Sequence, residues 1–142
     1  MAEIVKEHFD NIHFTESLFS DPVAEEQSLL IRASRVQLLA NHPFFCYFPD
    51  LINCVMRFNG VIYSRRRICE YICGSNGVEG MKEPSLHEDG PFSSESKKML
   101  VSNYVFEGVL QNPYAWVGDW IVQAESFELQ IGRKREGSYF GS

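Results

Sequence analysis

Leu51-Ile52-Asn53-Cys54-Val55-Met56-Arg57-Phe58-Asn59-Gly60-Val61-Ile62-Tyr63-Ser64 sets two apolar runs on either side of Asn59-Gly60. Asn-Gly in that setting is the strongest short hairpin signature, because a two-residue type I′ turn needs positive φ at both central positions. The spacing predicts a hairpin that pairs Phe58 with Val61, Met56 with Tyr63 and Cys54 with Arg65. The opposite face pairs Arg57 with Ile62 and Val55 with Ser64. One face is therefore apolar near the turn and is expected to meet the core. The second strand is expected to run on through Ile68 to Ile72.

Alternation continues on both sides of this stretch. From Ser28 to Ala40, Leu29, Ile31 and Ala33 share a face, then Val36 and Leu38 take over. The phase slips at Ser34-Arg35, as one extra residue in a bulge would make it do. Residues 13–20 read as a strand fragment around Phe14 and Leu18, followed by a turn or helix start at Asp21-Pro22. In residues 2–12, Ile4, Val5, His8, Phe9 and Ile12 fall at helical spacing, which predicts a short amphipathic N-terminal helix.

C-terminal to the hairpin, residues 74–98 carry four glycines and two prolines among many Ser and Glu, and read as a long flexible loop. From 99 to 111 the alternation is clean: Leu100, Ser102, Tyr104, Phe106, Gly108 and Leu110 share one face. Asn112-Pro113 marks a turn. Phe127, Leu129 and Ile131 make a half-buried strand. Upstream, Trp120, Val122 and Ala124 alternate, and the phase slips again at Glu125-Ser126. A helix over 116–124 is the alternative, but Gly118 and the β-branched residues favour a strand. Residues 133–142 form a polar tail, expected to fray, that begins Arg133-Lys134-Arg135.

These elements predict a mainly β fold with minor α content. The expected architecture is an antiparallel β-sandwich or partly open barrel with a short N-terminal helix, one domain over residues 1–142. A hydrophobic fraction of 44% and a charged fraction of 23% are ordinary for a globular chain and exclude collagen-like or wholly disordered readings. Thirteen Lys and Arg against 19 Asp and Glu give a net charge of −6, which argues against general nucleic-acid binding. Met1–His8 has neither a basic nor an apolar signal region, and no apolar run approaches the roughly 18 residues of a membrane span. A cytoplasmic protein is expected, with no membrane partner.

Chemistry-bearing motifs are sparse. There is no Gly-x-Ser-x-Gly elbow, no phosphate-binding loop and no His-Glu-x-x-His, and His8, His13, His42 and His87 are scattered. Cys69 and Cys73 lie four apart, about 13 Å along a strand, too far to share one ion. Free thiols are therefore expected at Cys46, Cys54, Cys69 and Cys73, with no metal, cofactor or catalytic residue. Glu107 is placed to meet Asp119 or Glu125 if segments 99–111 and 116–131 pair, although solvent-facing carboxylates are the plainer expectation. Arg65-Arg66-Arg67 puts Arg65 and Arg67 on one strand face and reads as an exposed sheet face.

The segment His42-Pro43-Phe44-Phe45-Cys46-Tyr47-Phe48-Pro49-Asp50 crowds four aromatics between prolines. Some must fill the core; the rest would form a partner-binding patch at Phe44, Phe45, Tyr47 and Phe48. The leading expectation is a non-catalytic, acidic protein-interaction domain, a toxin-neutralising immunity-type protein or an adaptor, that binds a basic protein. The alternative is a small-ligand binder or enzyme with a site in the sheet mouth, lined by Tyr63, Arg65, Tyr104, Glu107, Trp116 and Trp120. A homodimer joined at exposed sheet edges is the third.

Overall fold

Apolar alternation builds the long strands of the computed structural model, which describes residues 2–92, 100–111 and 114–132. The strands are β1 (Ala2–Lys6), β2 (Ile12–His13), β3 (Leu18–Phe19), β4 (Val23–Glu25), β5 (Ser28–Leu38) and β6 (Ile52–Asn59). They continue with β7 (Tyr63–Gly74), β8 (Gly77–Met81), β9 (Ser85–Glu88), β10 (Ser102–Leu110), β11 (Ala115–Ala124) and β12 (Ser126–Gly132). They form one open mixed sheet in the order β1-β12-β6-β5-β3-β10-β11-β7-β8, with β2 and β4 added along β5 and β9 along β7. Pairing is antiparallel except between β3 and β10, which run parallel at Leu18–Val109 and Phe19–Leu110.

The sheet curls over its own inner face. β6 and β10 are three strand steps apart, about 14 Å along a flat sheet. Yet the Phe58 ring of β6 stacks on Phe106 of β10 with centroids 5.8 Å apart. Phe127 of β12 lies 5.9 Å from Tyr104 of β10, across four steps or about 19 Å of flat sheet. A single 3-10 turn, Phe9–Asn11, drops Phe9 between them, 5.1 Å from both Tyr104 and Phe127. Phe106 stacks on Trp120 at 4.9 Å, and Phe19 meets Trp120 edge-on at 5.4 Å. Leu29, Ile31, Met56, Leu129 and Ile131 close the rest of this interior.

Bulges keep β5 and β11 turned toward the core. In β5 the register with β6 shifts between Ala33 and Val36, where Arg35 takes φ 60°, so Leu29, Ile31, Ala33, Val36 and Leu38 are all buried. This is the phase slip expected at Ser34-Arg35. In β11 a second shift falls between Gly118 and Ile121, with Asp119 at φ 48°, and it carries burial from Val117 to Trp120. Residues 115–124 are strand, as the β-branched content favours, and the break at Glu125 separates β11 from β12.

Three expectations are corrected. First, the N-terminal segment is not a helix: β1 pairs with β12, Ile4 points outward while Val5 is buried, and Glu7 and His8 take positive φ, which ends any regular run. Second, Asn59-Gly60 does not close a hairpin. β6 is a central strand, pairing Phe58 with Leu29 and Phe127, and Met56 with Ile31 and Leu129. Only Gly60 takes positive φ there, so the type I′ requirement fails, and Asn59 stays in the strand. Val61 N–H then bonds Gln27 O and Ile62 N–H bonds Gln123 O, which carries the chain across to β7 beside β11. Third, β8 and β9 occupy part of the stretch expected to be a loop, because β7 runs long enough to pair with β9 at Arg65–Ile68 and with β8 at Tyr71–Gly74. The expected turn at Asn112-Pro113, the tail 133–142 and residues 93–98 of the loop lie outside the described residues.

Gly108 shows how tightly the interior is filled. A Cβ there would clash with the edge of the Phe19 ring, which is itself fully buried between Phe14, Phe106 and Trp120. Gly108→Ala is expected to lower unfolding free energy by about 1–3 kcal/mol, the usual penalty for overpacking. Urea denaturation measures it, and an unchanged midpoint would contradict this packing.

Candidate functional site

The aromatic segment 42–48 is built by one compact turn. Pro43 supplies no N–H, so the first donor after His42 is Phe44 N–H, which His42 Nδ1 accepts at 3.0 Å. Phe45 N–H bonds His42 O at 3.0 Å, Tyr47 N–H bonds Phe44 O at 3.0 Å, and Phe48 N–H reaches Phe44 O at 3.1 Å. That turn stacks Phe44 on Phe48, 6.4 Å apart and 4° from parallel, with Tyr47 edge-on to Phe44 at 5.9 Å. Phe44, Phe45 and Phe48 are half-buried against the core, and Tyr47 is 72% exposed. Phe44, Tyr47 and Phe48, with Glu3 of β1, line an open cleft of about 360 Å³. Exposed Leu39 and Leu51 flank the segment in sequence.

The residues expected to line a pocket in the sheet mouth do not converge. Tyr104 and Trp120 are interior. Tyr104 OH donates to Glu7 Oε1 at 3.3 Å, and burial, then the Glu7 carboxylate, push its phenol up to about 12. Tyr63, Arg65 and Trp116 are half-buried and face the other way, opposite Gln123, Ile121 and Cys69. Glu107 lines a cleft of about 340 Å³ with Asp10, His13 and Asp119. The pairing of β10 with β11 does bring Glu107 and Asp119 to one cleft, where Arg67 approaches Asp119 at 3.8 Å. Glu125 instead bonds back to Asn59 O and Gly60 O through its N–H.

One polar cluster escaped sequence reasoning. Asp89, just past β9, accepts Ser64 Oγ–H at 2.6 Å and the Trp120 indole N–H at 3.2 Å. Arg66 Nε lies 3.2 Å from its other oxygen, and the Arg66 guanidinium sits 5.0 Å over the Trp120 ring. Ser64 is 1% exposed, so this hydroxyl is a brace for β9 and Trp120, closed to any substrate. Ser64 and Asp89 are 25 residues apart, and only the β7–β9 pairing brings them together.

All four cysteines are free, Cys54 buried and its thiol pushed up by burial, Cys46 and Cys73 exposed. Among the described residues, no group of three or more His, Cys, Asp or Glu side chains is arranged to hold a metal ion. Comparison of the chain with protein-family models, with curated proteins and with solved structures returned no match.

Arg66 and Asp89 leave only 12% and 4% of their side chains exposed. Removing one partner strands the other charge in the interior. Asp89→Ala is expected to lose about 3–5 kcal/mol of unfolding free energy. Asp89→Asn, which keeps an acceptor for Ser64 and Trp120, is expected to lose less. Urea unfolding tests this; a loss under about 1 kcal/mol would place the pair with ordinary surface contacts.

Proposed function

We propose that this chain is a non-catalytic protein-interaction domain whose docking face is the aromatic cleft at Phe44, Tyr47 and Phe48. The single observation that carries the reading is the contrast between the two aromatic groups. The rings of β6, β10, β11 and β12 fill the interior, while Tyr47 projects to solvent above a cleft that the Phe44–Phe48 stack holds open. Rigid aromatic side chains around a concavity are what binding hot spots are made of.

The partner fitted by this surface is a basic protein. A net charge of −6 speeds encounter with a cationic surface and orients it, while the aromatic cleft supplies the desolvated contact. An immunity-type inhibitor of a toxin or an assembly adaptor, working in the cytoplasm, is the form of this reading we favour. No helix among the described residues is long and apolar enough to cross a membrane. The curl of the open sheet supports a partly open barrel rather than a sandwich. Its ring-filled interior weighs against a small ligand held inside. The edge strands β1 and β8 keep a second copy of the chain as the competing occupant, which light scattering separates.

Affinity capture on immobilised wild-type protein, in parallel with Tyr47→Ala and Phe48→Ala, tests the proposal. The wild type is expected to retain a basic partner that raised salt weakens. Tyr47→Ala is expected to bind at least about tenfold more weakly, with its unfolding midpoint unchanged because the ring is outside the core. Equal retention by folded variants would overturn the assignment of the face.

A further inference from the structure

Under the aromatic turn, His42 is 3% exposed. Its Nδ1 accepts Phe44 N–H, so the neutral ring carries its proton on Nε2, a buried atom with no hydrogen-bond partner. His8, in left-handed backbone at φ 65°, sets its own ring edge-on to His42 at 5.8 Å. The acidic groups nearby are directed elsewhere. Glu7 bonds Tyr104 OH and Phe127 N–H, Asp10 lines the cleft with His13, and Glu3 of β1 lines the aromatic cleft. Cys46 of the turn itself is exposed.

We propose that His42 is a pH-sensitive latch on residues 42–48, and that its protonation releases the aromatic turn and closes down docking at mildly acidic pH. This rests on the reading of that turn as the docking face. The proton adds to the in-plane lone pair of Nδ1, displacing Phe44 N–H from it, and converts an acceptor into a donor that opposes Phe44 N–H. Phe44 is the residue whose carbonyl receives Tyr47 and Phe48 N–H, so its release loosens the stacked pair as well. Burial first, and the His8 imidazole second, hold His42 below its ordinary 6.5. A lowered value means that the closed turn favours neutral His42. The latch is therefore fully engaged above about pH 6.5, the open-state value, and is lost as pH falls through the lowered closed-state value.

Amide exchange at residues 44–48 of the full chain, corrected for intrinsic rates, reads the latch directly. Lowering pH from about 7.5 to about 5.8 is expected to reduce protection there by up to about fivefold, the ceiling that one proton with an open-state pKa near 6.5 sets. His42→Asn keeps an acceptor near Nδ1 and cannot protonate, so its turn is expected to hold its protection across the same interval. His8→Asn is expected to move the wild-type transition to higher pH. Proton NMR of the His42 ring in wild-type protein adds a readout independent of any variant: a midpoint at or above 6.5, or acid-insensitive protection, would overturn the latch. Partner capture at about pH 7.5 is scored separately. Capture with acid-insensitive protection removes the latch alone, whereas acid-sensitive protection with no partner at any pH removes the docking reading alone.

Discussion

The contact of rings from β6 and β12 with rings from β10 is the constraint on which the rest of this molecule hangs. A flat twelve-stranded sheet would hold Phe58 and Phe106 far apart, and their stacking requires the sheet to curl. Curling turns one face of every long strand inward and gives the alternation of β5, β6, β10, β11 and β12 a common destination. It also creates the need for bulges. A regular strand keeps its inward set on one parity, and Arg35 and Asp119 in left-handed backbone are where the chain changes parity to keep Val36 and Trp120 inside.

Here the curl is filled by the rings of Phe58, Phe106, Phe127 and Trp120, with Phe9 packed against them. Inside, Asp89 braces strands through Ser64, Arg66 and Trp120. On the outer surface the 42–48 turn presents stacked and projecting rings together.

Much of this was legible in the sequence, and the limits follow from physics. Alternation is a local property, so the inward faces of β5, β10 and β12 and the slip at Ser34-Arg35 could be read directly. The preference for strand over helix at 116–124 rested on Gly118 and β-branching, which act within the segment. The Asn59-Gly60 hairpin failed because local turn chemistry competed with tertiary demand. Phe58 and Met56 are buried from both sides, and β5 and β12 offer two apolar partners. The true two-residue loops join Glu25 to Ser28 and Gly74 to Gly77, and the second was written in Gly74-Ser75-Asn76-Gly77. At the candidate site, the aromatic run was visible by composition. The roles of His42 and Asp89 were not, since each depends on what a distant segment places beside it.

The central claim is that the sheet closes over a ring-filled interior. Nuclear Overhauser contacts between aromatic protons of selectively labelled Phe58 and Phe106 test it most directly. The account predicts strong cross-peaks between these two rings, whose centroids are 5.8 Å apart, and matching ones between Phe127 and Tyr104. Cross-peaks confined to neighbours within the hydrogen-bonded order, with none between β6 and β10, would contradict it.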